Sequence, residues 1–539
     1  MENNKNEVGN AVAGNSRKKI DHVIFWPPFL LLLGAVVYSL IDQAGFGTMT
    51  ITAFMWVTDN FNWLYAVVAV ASVIVSLYVL ISAKGETVIG GEGAKPKYTY
   101  FQWFSMTLCG GIGIGLVFFG VAAPMEFYAA PAEGIEAMSG NAAIWSMANC
   151  WYQWTIAPYA LYVIFAIPLA LAIYNYHKKS TVASALYFAI GDEGVDGKIG
   201  KLITIIAVFA LIAGVSGGMG QGIMQIGSGF NFLIPSLKPG PVLWMAIAAL
   251  IIAMFTFSSA VGMDKGLKWV ADQNTKLYFA VLIFIIIVGP SAYIAQIATE
   301  TFGPYVQNFL HMGTYLGVAN PGEDWARWWT IFYYAAFICY GPVMAIFLAR
   351  MAYGRTLKQF VIVNLIAPSM FAIVWFAVFG GTAIHMQDSG KYDICSAIAE
   401  NGVESAVFEF FRQLPGGMVL IVVFLIVIII SFVTCADAMT TSVAILCTKD
   451  YSLEDEGEPP LHIRVLWGVI IGSLAYTMVA FAGFDGTRML AILCTFPQLF
   501  VYLVAIVSTV KGLNGSVHVP RKKRKALEQK AAAEAEMEA

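Results

Sequence analysis

The chain has 539 residues, of which 59% are hydrophobic and 12% charged, with a formal net charge of −3 and a mean hydropathy of +0.71. A soluble fold of this size needs a wettable surface that this composition does not supply, so an all-α polytopic membrane protein is expected. Seven cysteines without a CxxC pair and six scattered histidines argue against a disulfide framework or a metal centre. No nucleophile–base pair marks an enzyme, and no partner nucleic acid is expected.

The first 22 residues are polar and basic, and no small-residue cleavage site follows the first apolar segment, so a removed signal peptide is not expected. Windows of about 20 apolar residues, the length that spans a bilayer core, give twelve candidate spans. They lie near 24–43, 61–83, 101–128, 143–174, 200–228, 240–259, 276–298, 328–349, 359–386, 416–447, 463–483 and 487–510. With a cytoplasmic N-terminus and alternating spans, only Lys238, Arg327, Lys391, Arg412 and Arg488 fall on the outer side. The other 26 of the 31 basic residues are then cytoplasmic, the imbalance expected of a multi-pass protein in a cell inner or plasma membrane with both termini inside. Residues 301–318 form a moderately amphipathic stretch before span 8, and 395–413 read as a short outer helix. The tail, basic and then acidic, reads as a solvated helix or as an arm touching anionic lipid.

Span 3 carries CGGIGIGLVFFGVAAPMEF, residues 109–127, with Glu126 near its end. Glycine weakens a helix by about 1 kcal/mol relative to alanine, and an intramembrane carboxylate is more costly still. Two readings stay open. A broken helix lining a cavity would offer unwound carbonyls to a cation, whereas Gly111 and Gly115, at GxxxG spacing, would let helices pack closely. Span 5 is similarly glycine-rich (GVSGGMGQGIMQIGSG, 214–229), and span 10 has SFVTCADAMTTS, 431–442, where Thr434, Asp437, Thr440 and Thr441 interrupt an apolar run. If spans 3–7 and 8–12 are two five-helix repeats of opposite orientation, spans 5 and 10 correspond. Paired interruptions of this kind point to a transporter site, and no repeated pore loop argues for a channel.

Aromatic residues fill span 4 (WYQWTIAPYALY, 151–162) and span 8 (WWTIFYYAAFICY, 328–340). Trp328 and Trp329 fit an interfacial belt. Trp154, Tyr159 and Tyr162 lie deeper, as do Tyr333, Tyr334, Phe337 and Tyr340, several at spacings that share a helical face. Converging ring faces can hold a methylated ammonium cation, each contributing on the order of 1–2 kcal/mol when desolvated. Core packing is the competing reading for any single ring.

The motifs GIGIGLVFFG (111–120), QWTIAPYALY (153–162), GMDKGLKWVADQN (262–274), WTIFYY and IFLARMAYGRT (329–356), VTCADA (433–438) and EGEPPLHIRVLW (456–467) together resemble the betaine/choline/carnitine transporter family over nearly the whole chain. The resemblance implies twelve spans with broken helices at a central site and an inverted repeat. The expected organisation is 1–22 cytoplasmic, 23–98 two extra spans, 99–298 first repeat, 299–327 amphipathic outer helix, 328–511 second repeat and 512–539 cytoplasmic tail. It also implies a homotrimer, secondary transport of trimethylammonium compounds, and ammonium binding by Trp154, Tyr159 and Tyr162, with Gly113 and Gly115 lining the site. Sodium is the expected coupling ion, held by the residues matching Cys109, Ile112, Ser431, Thr434 and Cys435, with no further cofactor.

The chain departs from that pattern at Ala336 and Phe337, where two tryptophans are usual. It departs again at Ala123, where a glutamate is usual and Glu126 stands three residues on, and at Gly217 and Gly218, where hydroxyl side chains are common. Asn274 occupies the position at which sodium-independent exchangers carry arginine, which favours symport. An ionised Glu126 would repel the carboxylate of betaine or carnitine by about 4 kcal/mol at ~4 Å and an effective dielectric of 20, so choline or a trimethylamine-like cation is the expected substrate. The alternative is that Glu126 faces an outer vestibule and never meets substrate.

Overall fold

The computed structural model describes residues 20–517 apart from 262–263, 321 and 450–458. The terminal segments, including the expected tail helix, lie outside the described residues. In chain order the helices are α1 His22–Ile41, α2 Gln43–Ile81, α3 Tyr100–Ala129, α4 Gly140–Trp154, α5 Ile156–Tyr174, α6 Tyr187–Asp196, α7 Lys198–Leu233, α8 Pro241–Val261, α9 Asp264–Val288 and α10 Ser291–Gln307. There follow α11 Phe309–Thr314, α12 Trp325–Trp328, α13 Thr330–Met351, α14 Leu357–Val361, α15 Ala367–Asp388, α16 Ile394–Asn401, α17 Ala406–Arg412, α18 Gly417–Leu446 and α19 Leu461–Leu513. Among the described residues there is no strand; two isolated bridges, Ile20–Thr448 and Val88–Thr356, tie loops together.

Among the described residues, seven helices or helix pairs are long and apolar enough to cross a membrane, and an eighth candidate is the pair Lys276–Val288 and Ser291–Gln307, bent by 105°. Gly115–Ala129, Pro241–Phe257 and Gly417–Val433 are shorter apolar helices. The protein is thus an all-helical, multi-pass membrane protein. Apolar side chains such as Leu30, Leu40, Ile81, Val242 and Ile287 are exposed, as lipid-facing residues should be, while Gly140–Tyr174 is 94% buried over its most apolar window. That pair therefore forms the middle of the bundle, with α13 packed along α5, α15 along α3, and α19 along α7.

The breaks are not where the glycines predict them. Helix α3 runs through its glycine run as one 30-residue helix, and α7 and α18 are likewise unbroken, which corrects the expectation of unwound helices there. The physical reason is close approach. A Cβ on Gly115 would lie 2.3 Å from the Trp154 ring, on Gly120 2.6 Å from Trp375 Nε1, on Gly214 2.0 Å from Cys339 Sγ, and on Gly222 2.1 Å from the Phe432 ring. These glycines make room for a neighbouring side chain, the role small residues play at intramembrane helix contacts, and the helical hydrogen bonds stay intact.

Real interruptions fall elsewhere. Thr155, with φ −121° and ψ −119°, separates α4 from α5; its hydroxyl donates to the Trp151 carbonyl and pairs with the Tyr305 hydroxyl at 2.7 Å, satisfying part of the backbone that the break frees. A π-helical turn, Ile362–Ile366, joins α14 to α15. Candidate spans 11 and 12 form the single element α19, kinked at Ala482 (φ −141°) and Gly483 (φ +55°). The positive φ at Gly483 is one that glycine adopts without strain.

Candidate functional site

The Thr155 break lets two consecutive helices aim their rings at one place. Trp154, the last residue of α4, points toward α13, where its ring centroid lies 5.3 Å from Tyr333 and 5.8 Å from Phe337. Just past the break, α5 presents Tyr159 and Tyr162, whose rings lie 6.1 and 5.3 Å from Phe337 and 6.5 Å from each other. Most of these contacts are edge-to-face or tilted, arrangements favoured by the ring quadrupole. Phe337 is thus the ring on which Trp154, Tyr159 and Tyr162 converge. All four, with Tyr333, are buried. The Tyr159 hydroxyl has no hydrogen-bond partner, and the Trp154 indole nitrogen and Tyr333 hydroxyl of the same group are likewise buried and unpartnered.

Two rings that spacing did not single out complete the cluster: Phe119 of α3 at 5.5 Å and Phe376 of α15 at 5.8 Å from Trp154. The paired Phe118 and Phe119 within the glycine run were the available signal. Gly115 belongs to the site by absence, since its missing Cβ leaves the Trp154 ring its place against α3. The Trp375 indole also donates to the Leu116 carbonyl at 3.0 Å, fixing α15 on α3 one turn away.

Other predicted site residues go elsewhere. The Tyr334 hydroxyl meets that of Tyr152 at 2.7 Å and the Gly313 carbonyl at 3.1 Å, fastening α13 and α4 to α11. The Tyr340 hydroxyl donates to the Gly214 carbonyl of α7 at 3.1 Å. Both are packing contacts away from the ring cluster. Of the proposed cation ligands, Ser431 donates to the Val427 carbonyl at 2.7 Å and lies 3.0 Å from the Tyr278 hydroxyl. The side chains of Cys109, Ile112, Thr434 and Cys435, and the surroundings of Gly113, lie outside the described residues, as does the Asn274 comparison. Six residues beyond Ser431 in α18, Asp437 forms a 2.8 Å ion pair with Arg464, so its carboxylate has a cationic partner within the bundle.

Glu126 is half-buried near the end of α3, seven residues past Phe119. The charges that act on it are those of Arg488 and Asp485. Arg488, which the charge count places on the outer side at the start of span 12, is not among the expected site residues. Its guanidinium lies 3.9 Å from the Trp329 ring centroid and 4.1 Å from that of Phe484. Trp329 stacks on Tyr333 at 6.2 Å. A continuous line of rings therefore runs from the arginine to Trp154.

The arrangement is suited to a soft organic cation. A protein-family model for the betaine/carnitine/choline family transporter, BCCT, matches residues 23–518. The chain is 30% identical over 492 residues to the glycine betaine transporter OpuD of Bacillus subtilis (strain 168), covering 91% of this chain and 94% of that protein. It is 26% identical to the ectoine/hydroxyectoine transporter of Virgibacillus pantothenticus, covering 93% and 98%, and 28% identical to glycine betaine transporter 1 of Vibrio parahaemolyticus serotype O3:K6, covering 89% and 91%. On the family match over nearly its whole length, the chain belongs to the betaine/carnitine/choline family of transporters.

Proposed function

We propose that the protein is a sodium-coupled symporter that imports a small methylated ammonium compound across the cell membrane. The observation that carries this reading is the convergence of Trp154, Tyr159, Tyr162, Tyr333 and Phe337 into one buried cluster built from two separate stretches of chain. Several desolvated ring faces attract a cation whose charge is spread over methyl groups, and the free Tyr159 hydroxyl offers a hydrogen bond to a polar substrate atom. In this reading the chain crosses the membrane twelve times with both termini cytoplasmic, spans 3–7 and 8–12 are inverted repeats, and three copies assemble partly through α10 and α11. Sodium sits between the backbone around Cys109 and Ile112 and the Ser431–Cys435 stretch, Thr434 included.

The choice of substrate turns on charge. Glu126 alone favours choline or a trimethylamine-like cation over a compound with its own carboxylate. Arg488 supports the second reading, uptake or exchange of a zwitterion such as glycine betaine or carnitine, because its positive charge acts on the same carboxylate. The similar proteins of Bacillus subtilis and Vibrio parahaemolyticus named as glycine betaine transporters support that second reading as well.

Proteoliposome uptake of choline, trimethylamine, glycine betaine and carnitine under an imposed sodium gradient tests both. Accumulation of at least one compound that collapses when potassium replaces sodium is the expected result. Equal uptake without sodium, or uptake only against internal substrate, overturns the symport reading.

A further inference from the structure

The environment of Arg488 is unusual for a buried cation. Its side chain is only 7% exposed, and its ion-pair partner is the 55%-exposed Asp485, three residues earlier on the same helix and 3.5 Å away. The Nε–H has no partner. Ring faces do much of the holding: Trp329 and Phe484 at 3.9 and 4.1 Å, with Phe332 at 5.9 Å and Trp328 at 6.0 Å. An arginine buried with an unused donor is costly unless something completes its hydrogen bonding. A guanidinium presents five N–H donors in a planar fork that matches a carboxylate.

Position adds a second, independent observation. Phe484 follows directly on the Gly483 kink and packs on Phe118 and Phe119 of α3 at 5.6 and 5.9 Å. Phe119 in turn touches Trp154. Arg488 therefore stands at one end of the ring line whose other end is the candidate ammonium site, and after its ion-pair partner Asp485 the other carboxylate whose charge acts on it is Glu126.

We infer that Arg488 is a specificity-determining residue that receives the carboxylate of a zwitterionic ammonium substrate on its way to the rings, while Glu126 opposes it, so that this pair sets the preference between zwitterionic and purely cationic compounds. The inference rests on the reading of the chain as an ammonium-compound transporter. The readout is the ratio of Vmax/KM for glycine betaine to that for choline in proteoliposomes of the full chain. Arg488→Gln lowers that ratio at least tenfold, Arg488→Lys keeps part of it, and Glu126→Gln raises it several-fold. A ratio within twofold of the parental value in Arg488→Gln, or a shift in the same direction in Arg488→Gln and Glu126→Gln, overturns the inference. Should Arg488→Gln fail to reach the membrane folded, Glu126→Gln decides: a raised ratio supports the inference and an unchanged one overturns it. Transport of neither compound by the parental protein overturns the transport reading itself, a result distinct from an unchanged ratio.

Discussion

Trp154 owes its place to three separate facts: it ends α4 at the Thr155 break, it faces a glycine on α3, and its ring meets α13 edge-on. Removing one ring from the cluster costs about 1–2 kcal/mol of cation binding. Trp154→Ala is therefore expected to weaken ammonium affinity about 5- to 30-fold, read by substrate binding to the purified protein. Gly115→Ala should produce a comparable loss without touching a ring, because its Cβ would lie 2.3 Å from the indole and force it aside. Equal affinity in parent and Gly115→Ala would show that the indole position is immaterial. Trp154, Tyr159, Tyr162 and Phe337 were legible as a group because each lies deep in an aromatic-rich span. Phe376 and Arg488 were not, since what makes them neighbours is the docking of α15 and α19, which no local spacing encodes. Tyr334 and Tyr340 share a span with Phe337 yet point at α11 and α7, because a single helix turns successive rings toward different partners.

At the level of helices, the all-helical, multi-pass class was readable far beyond the internal geometry of the helices. Apolar length locates a span, but a glycine run has two physical uses, a break or a close contact, and only the neighbouring helix decides between them. In α3 and α7 the neighbours are bulky side chains lodged against the glycines. The break that matters, at Thr155, lies in a stretch without glycine but three residues before Pro158, whose nitrogen has no proton to give the Trp154 carbonyl, and the Trp151 carbonyl accepts from the Thr155 hydroxyl. Gly222→Ala, whose Cβ would lie 2.1 Å from the Phe432 ring, should destabilise the α7–α18 contact by about 1–3 kcal/mol through overpacking. Gly34→Ala, in open space on α1, should be neutral or slightly stabilising. Thermal unfolding of both variants in the same detergent checks the pair, and equal melting temperatures would argue against packing as the role of Gly222.

For the whole molecule, α10 and α11 leave Phe302, Val306 and Leu310 exposed, with Phe302 and Val306 one turn apart on the same helix face. If three copies meet there, replacing Phe302 and Val306 together by arginine should shift the detergent-solubilised protein from trimer toward monomer, as measured by mass photometry. An unchanged mass places the contact elsewhere. The burial of Trp154, Tyr159, Tyr162, Tyr333 and Phe337 has a kinetic corollary. A ligand cannot diffuse into a cluster closed on all sides, so each binding event waits for the rings to part, and only the fraction of molecules in that parted state is competent. In stopped-flow mixing the observed binding rate should level off as substrate concentration rises, its plateau reporting how often the protein unlatches itself, whereas a rate that climbs in proportion to concentration would describe a permanently accessible site.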